Sequence, residues 1–554
     1  MPICRHRRFR VSVSPAGWRL ICAAVVGAAV VAAAVALTGA QVPVPGTNVN
    51  MVSGTGWPNG DPFLQRQNEP SIAASTRNPL HLLAGANDYR TVDLPGLPDG
   101  DETGDAWLGV FTSFDGGRQW QSTLLPGYPQ DRSPAGLNSP LHGFQAGADP
   151  VVRAGTNGLL YYSGLAFDRG TDAPSAVFVA RFVDNNDKEN GDAISLINTS
   201  LVAVNSGRHG VFLDKPWLAV DIPRGRGTCR IPAPGPNDTT TTQVVPAGPA
   251  YMAYTEIRGE GATLQSRIMF SASYDCGASW TRPVRISDPR DRVNQGATIA
   301  IDPRTGTVYV AWRRFASGDA DHDRDGDSDA IMVTRSDDDG RRFDPPGEAR
   351  RFPRGKKHGL LPEWVFEHRD AGHPQQAARL SPFDEATTDT SFRTNGYPSM
   401  TIDGSGRVYL AWTERGFGAV RPDPITGDAR VLVATSRDGH RWQPPVVADE
   451  PHLPGHQFMP TITFAGGKLL LVYYDQREDV SQTFSTYVDE ANIIPYTRRH
   501  TIDIRAVEAD PGAQPVFGPS VQVSRYLIGS QPPGAAGQPI RAVPCGPPGS
   551  NPAC

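Results

Sequence analysis

Apolar and polar residues alternate in short runs, and the alternation recurs six times along the chain. Each copy opens on Pro or a small residue, continues as an alternating strand, breaks at a Gly or Asp turn and resumes as a second strand ending on an aromatic. The copies begin at Glu69-Pro70-Ser71-Ile72, Asp149-Pro150-Val151-Val152, Lys215-Pro216-Trp217-Leu218, Gly296-Ala297-Thr298-Ile299, Tyr397-Pro398-Ser399-Met400 and Met459-Pro460-Thr461-Ile462. The fourth and fifth run on most clearly, as Val308-Tyr309-Val310-Ala311-Trp312 and Val408-Tyr409-Leu410-Ala411-Trp412. Period-two alternation across a tight turn is a hairpin signature. Six such hairpins predict six blades of a radially repeated, all-β fold, in which each unit contacts only its neighbours.

A second motif falls between several of the hairpins. Ser113-Phe114-Asp115-Gly116-Gly117-Arg118-Gln119-Trp120 and Ser273-Tyr274-Asp275-Cys276-Gly277-Ala278-Ser279-Trp280 both read S-x-D-x-G-x-x-W. Ser336 to Phe343 matches with Phe in the last place, and Ser436 to Trp442 is one residue shorter. Asp and Ser side chains can satisfy backbone donors in such a turn, and Gly accepts positive φ. The motif resembles the Asp box of sialidases and other BNR-repeat propellers. The chain is thereby similar to the sialidase superfamily, bacterial exo-alpha-sialidase-like proteins included, over roughly residues 60–525. The resemblance implies a six-bladed β-propeller with Asp boxes at 61–525, after a leader at 1–40 and a linker at 41–60.

Composition adds export. Arg5, Arg7, Arg8, Arg10 and Arg19 precede an uncharged apolar run from Leu20 to Leu37, and Thr38 and Ala40 suit cleavage before Gln41. The run is also long enough for an uncleaved membrane anchor. Either way the remainder is exported, and the membrane is met only through this segment. The 58 Gly and 51 Pro fit many turns, and a net charge of −5 gives no footprint for nucleic acid. Residues 526–554 read as a Pro/Gly-rich flexible tail. Outside the leader stand Cys229, Cys276, Cys545 and Cys554, two disulfides in three possible pairings. In the propeller geometry that the resemblance implies, Cys229 and Cys276 share the bottom of the third blade and pair. Cys545–Cys554 is then left to close a loop in the tail.

The same geometry gathers residues before the first strands and after the second strands at the top face, around the channel. Charge concentrates there. Glu69, Asp149, Lys215 and Tyr397 precede first strands; Asp88 with Arg90, Glu256 with Arg258, Arg313 with Arg314, Glu414 with Arg415, and Asp475 with Arg477 follow second strands. Arginine forks bind carboxylates, and paired carboxyls supply acid and base for glycoside cleavage. Sialidases hold a substrate carboxylate with three arginines, and use a tyrosine nucleophile activated by glutamate and an aspartate acid/base. On that resemblance Asp88 is the expected acid/base and Tyr397, with Glu414, the expected nucleophile. Arg90, Arg258, Arg313 and Arg415 are expected carboxylate ligands, with Glu69, Asp149, Glu256, Arg314, Asp475 and Arg477 as further substrate contacts. Two departures stand out: Glu69 occupies the place of the family's first-blade arginine, and Tyr397 lies on the fifth repeat, not the sixth. The same charges could instead pair as structural ties between blades.

Asp321, Asp323 and Asp325 with Gly326 match the start of a calcium loop, and Asp327 and Asp329 continue it; Met332 stands where the closing Glu belongs. The expected ion is a structural calcium. Residues 344–395 read as an insertion between the fourth and fifth blades. Two functions follow: an exported, monomeric sialidase-like glycoside hydrolase of exo-alpha-sialidase type acting on a glycan or glycoconjugate, or a non-catalytic surface propeller binding glycan or protein.

Overall fold

A computed structural model describes residues 44–46, 48–49, 51–52 and 67–524, apart from 92–104, 171, 187–193, 209, 235–239, 260–262, 316–328, 353–395, 419–427, 479–482, 490–491 and 499–501. The leader, the tail with Cys545 and Cys554, and Asp321, Asp323, Asp325 and Asp327 lie outside the described residues. Among those described, no helix is long and apolar enough to cross a membrane.

Six four-stranded antiparallel sheets follow one another along the chain and form a six-bladed β-propeller. Their innermost strands are Gln67–Ala74, Ala146–Ala154, Val211–Val220, Val293–Ile301, Ser399–Ile402 and Gln457–Ala465, the six copies expected from the alternation. Central strands such as Val308–Phe315 and Val408–Arg415 are buried along their whole length. The period of two explains how. Val308, Val310 and Trp312 pack towards blade three, while Tyr309 and Ala311 pack towards blade five. Each strand therefore holds two cores together, and a polar residue on either face would break one of them.

The four Ser-x-Asp turns share one bonding pattern. Ser113 Oγ accepts from Gly117 N at 2.9 Å, and Asp115 Oδ1 accepts from Gln119 N at 2.9 Å. The pairs Ser273/Asp275, Ser336/Asp338 and Ser436/Asp438 repeat it, the last across its shorter loop. The turn glycine is a steric requirement as well: a Cβ on Gly340, at φ 77°, would stand 2.7 Å from the Phe270 ring of the preceding blade.

Three features differ from the expectations. Gly347–Arg351, placed in an insertion, is the outer strand of blade four, because it continues the ladder from Ala330–Ser336. Part of the expected linker is instead structural: Asn48 Nδ2 donates to Val523 O of blade six at 3.1 Å, while Met51 and Val52 pack on blade one. This segment ties the last blade to the first. Two hairpins unforeseen in the sequence, Thr228–Pro234 with Thr240–Pro246 and Thr483–Asp489 with Asn492–Arg498, project from blades three and six. The first reaches under blades one and two, where Gln243 accepts from Arg77 at 2.7 Å and donates to Asn185 at 3.3 Å.

The expected Cys229–Cys276 disulfide is present and staples that hairpin to the blade-three turn. Because it closes a loop with a sequence separation of 47, replacing both cysteines by Ala should lower unfolding free energy by about 2–4 kcal/mol, read by denaturant titration. A loss limited to the hairpin, seen in hydrogen exchange alone, would show that it does not constrain the whole propeller.

Candidate active site

In five blades the inner strand carries a bulge one residue before or at the repeating Pro or Ala. The residue in it is left-handed each time: Glu69 (φ 53°), Asp149 (57°), Lys215 (46°), Gly296 (71°) and Met459 (51°). For a non-glycine residue this costs about 1–2 kcal/mol, and such strain collects at functional sites. A bulge also re-aims side chains, here towards the propeller axis. Lys215 Nζ donates to Glu69 Oε1 at 2.7 Å and to Asp149 Oδ1 at 3.1 Å. These residues belong to the innermost strands of blades three, one and two, so the lysine joins blade three to the non-adjacent blade one across the axis.

Neighbouring polar groups extend the cluster. Asn87 Oδ1 accepts from Asp149 N at 2.7 Å, Gln295 Nε2 donates to Asp214 at 2.6 Å, and Tyr397 OH donates to Gln295 Oε1 at 2.7 Å. Five blades thus contribute to one polar ring. Glu69 and Lys215 keep 43% and 30% of their side-chain surface, against 11% for Asp149. Glu69 and Lys215 thus remain reachable by a ligand, whereas Asp149 is nearly enclosed.

The electrostatics separate the two carboxyls. Burial works against charge on Glu69, yet Lys215 and hydrogen bonds from Asp149 and Asn87 outweigh it and hold the group down to about 2. Burial and the Glu69 charge raise Asp149 well above the usual carboxyl range, in spite of Lys215. Burial opposes charge on Lys215 too, but Asp149, Glu69 and Asp214 raise it well above the usual range, so it stays an ammonium. Around one cation, Glu69 is therefore held towards its ionised form and Asp149 towards its protonated form. A pair pushed apart in this way can act as acid and base.

The other expected site residues are placed elsewhere. Asp88 is fully buried and gripped by Arg90, whose guanidinium runs outward to Ser122 and Thr123 on the outer strand. Arg313 is buried against Asp329 at 2.9 Å, and Arg314 bonds Glu348 at 2.8 Å. Asp329, the one described residue of the expected calcium loop, thus serves an arginine. Glu414 is buried between Trp412 Nε1 and Arg350, and Arg415 beside it is buried as well. Arg477 forks onto Asp475 at 2.6 Å and also binds Asp449. Glu256 and Arg258 pair at 2.7 Å in a separate cleft on blade three.

Arg90, Arg258, Arg314 and Arg477 are each engaged by a carboxylate, Arg477 by Asp475 of its own blade and by Asp449 of the preceding one. Asp214 and Gln295 were not singled out from the sequence. The signal was available: the position before the bulge residue is polar in three repeats, Asn68, Asp214 and Gln295.

No protein-family model and no curated protein matches the sequence. Solved structures similar in fold include a protein of unknown function from Dyadobacter fermentans, at 12% identity over 74% of this chain and 91% of that one, with a TM-score of 0.38. A GH93 alpha-L-arabinofuranosidase of Fusarium graminearum matches at 13% identity over 78% and 92%, TM-score 0.36. A Trypanosoma rangeli sialidase matches at 12% identity over 74% of this chain, TM-score 0.37, and the match spans 53% of the sialidase. The fold assignment rests on the six sheets themselves.

Gly296 supports the Tyr397 ring, since a Cβ there would stand 2.2 Å from Tyr397 Cδ1. Gly296→Ala should therefore cost more than about 1 kcal/mol and alter Tyr397 fluorescence or its ring NMR signals. An unchanged Tyr397 environment would contradict this packing.

Proposed function

We propose that the chain is an exported glycoside hydrolase that works at the axis, on a neutral sugar, with Asp149 as proton donor and Glu69 as nucleophile. The observation that carries this reading is the strained bulge ring, which brings two carboxyls, one favouring its ionised and one its protonated form, onto one lysine. Both carboxyls bond the same ammonium and Asp149 hydrogen-bonds Glu69, so the pair is closer than the roughly 6.5–9.5 Å of inverting glycosidases, and a retaining course is the one to expect. Asp149 gives its proton to the leaving oxygen as the C1–O bond breaks, and Glu69 bonds to C1. The Asp149 carboxylate then takes a proton from water, which displaces Glu69 and restores both groups. Lys215 holds the two carboxyls in place.

Charge argues for a neutral sugar. With Asp149 protonated, the ring holds Glu69 and Asp214 against Lys215 alone, which repels a sugar carboxylate and accepts hydrogen bonds from hydroxyls. Release of sialic acid, which the resemblance implied, is accordingly the less favoured reaction here. The Cys229–Cys276 disulfide supports an oxidising, extracytoplasmic location. A second reading, a non-catalytic propeller that binds glycan or protein, draws support from the same lysine, because Lys215 also ties three blades together.

A panel of fluorogenic glycosides, neutral ones and a sialoside, tests this. A neutral glycoside should be turned over, and Asp149→Asn and Glu69→Gln should each lower kcat by about 10²–10⁴-fold while the fold is retained. The donor must be protonated, so kcat/KM should fall as pH rises through the raised Asp149 value. It should stay level on the acid side through the ordinary carboxylate range and fall only as pH approaches about 2, where Glu69 takes up a proton. Absence of turnover across the panel by folded protein would leave the binding reading.

A further inference from the structure

Blade three carries a cleft of about 260 Å³ at the end of the sheet where its second strand leaves and blade four begins. Five arginines line it (Arg258, Arg267, Arg285, Arg290 and Arg292), against two carboxylates, Glu256 and Asp291. Glu256 is already shared, for its Oε1 accepts from Arg258 Nε at 2.7 Å and from Arg267 Nε at 3.0 Å. Arg290 spends its fork on Asp288 at the rim.

Arg285 differs from the others. Its Nε donates to Ser287 O at 3.0 Å and its Nη2 to Asp288 O at 2.6 Å, both neutral carbonyls. These bonds fix the guanidinium without neutralising it. Burial and the nearby Arg267 charge act against its cationic form, and Asp288, Asp291 and Glu256 only partly offset them. Among the described residues no carboxylate is hydrogen-bonded to it: Asp291 acts from a distance, with its Oδ2 buried without a hydrogen-bond partner and its Oδ1 3.7 Å from Arg314 on the blade-four side. A cleft with five arginines to two carboxylates, in which a fixed arginine bonds only neutral oxygens beside a second arginine, is a receptor for an anion, because planar guanidiniums match the oxygens of carboxylate, sulfate and phosphate.

We propose that this cleft binds an oxyanion, a sulfate or carboxylate group, on Arg285 and Arg267. The volume lies just under the roughly 300–1,000 Å³ of pockets for drug-sized ligands, so one small group fits, either a free ion or a single acidic sugar. The site stands independently of the axial one and of the reaction assigned there.

Binding to the full chain would be followed by calorimetry with inorganic sulfate, glucose 6-sulfate, glucuronate and glucose. We expect saturable binding at one site per chain by at least one of the anions, weakening with added salt, and none by glucose. Arg285→Gln and Arg267→Gln should each weaken it at least tenfold. Arg341→Gln, on an exposed Ser-x-Asp turn, and Asp149→Asn, at the axis, should leave it unchanged. Tighter binding of the acidic sugars than of sulfate identifies a sugar ligand, and equal binding identifies the free ion; both outcomes support the site. Since Arg285 also braces a loop, Arg258→Gln serves as a milder variant, expected to weaken binding with the melting temperature unaltered. The proposal is overturned if none of the anions binds saturably, or if binding is the same in the Arg285 and Arg267 variants.

Discussion

The left-handed bulge at the head of the inner strands governs the molecule. A propeller needs its innermost strands to converge on an axis too narrow for large side chains along its whole length. The bulge turns one residue per blade inward and lets the strand below it resume its regular pairing. At Glu69, Asp149 and Lys215 the backbone takes a conformation that glycine would adopt at no steric cost. The ionic contacts across the axis offset that strain, and the strain aims the groups at one another. Ring closure and site geometry are consequently one problem with one solution. The segment at Asn48–Val52 completes the ring from outside by bridging blade six and blade one.

The same economy appears in the charges. Most acid–arginine pairs that follow the second strands are spent within their blades, as Arg90 on Asp88 and Arg477 on Asp475 show. Buried guanidiniums demand such partners. What is left over differs in sign: a carboxyl-rich ring around Lys215 at the axis, and an arginine-rich cleft on blade three. Opposite signs at two separate places favour different ligand groups, hydroxyls at the first and an oxyanion at the second.

The architecture was legible because alternation is a local signal. The six copies from Glu69-Pro70 to Met459-Pro460 mark the six inner strands, and the four Ser-x-Asp turns mark strand junctions in four blades. Insertions were harder. The hairpin at Thr228–Pro246 is polar and rich in threonine, and its register depends on the blade beneath it. Gly347–Arg351 has almost no apolar residue and becomes a strand only because blade four offers an open edge. The site was half legible. Glu69, Asp149, Lys215 and Tyr397 stood out as residues before the first strands. Which charges meet could not be read from order along the chain: Arg90 follows Asp88 by two residues and turns back onto it, whereas Lys215 reaches Glu69 across 146 positions. Three-dimensional pairing separated the structural arginines from the site.

The central claim is that Asp149 and Glu69 share one proton under Lys215. Carboxyl-carbon NMR of selectively labelled protein, titrated from pH 3 to pH 9, reads it directly. Glu69 should be ionised throughout, and Asp149 should stay protonated well above the usual aspartate range, with its titration moving down in Glu69→Gln. Two carboxylates both ionised at neutral pH would contradict it, and would leave the axial cluster as a tie between blades.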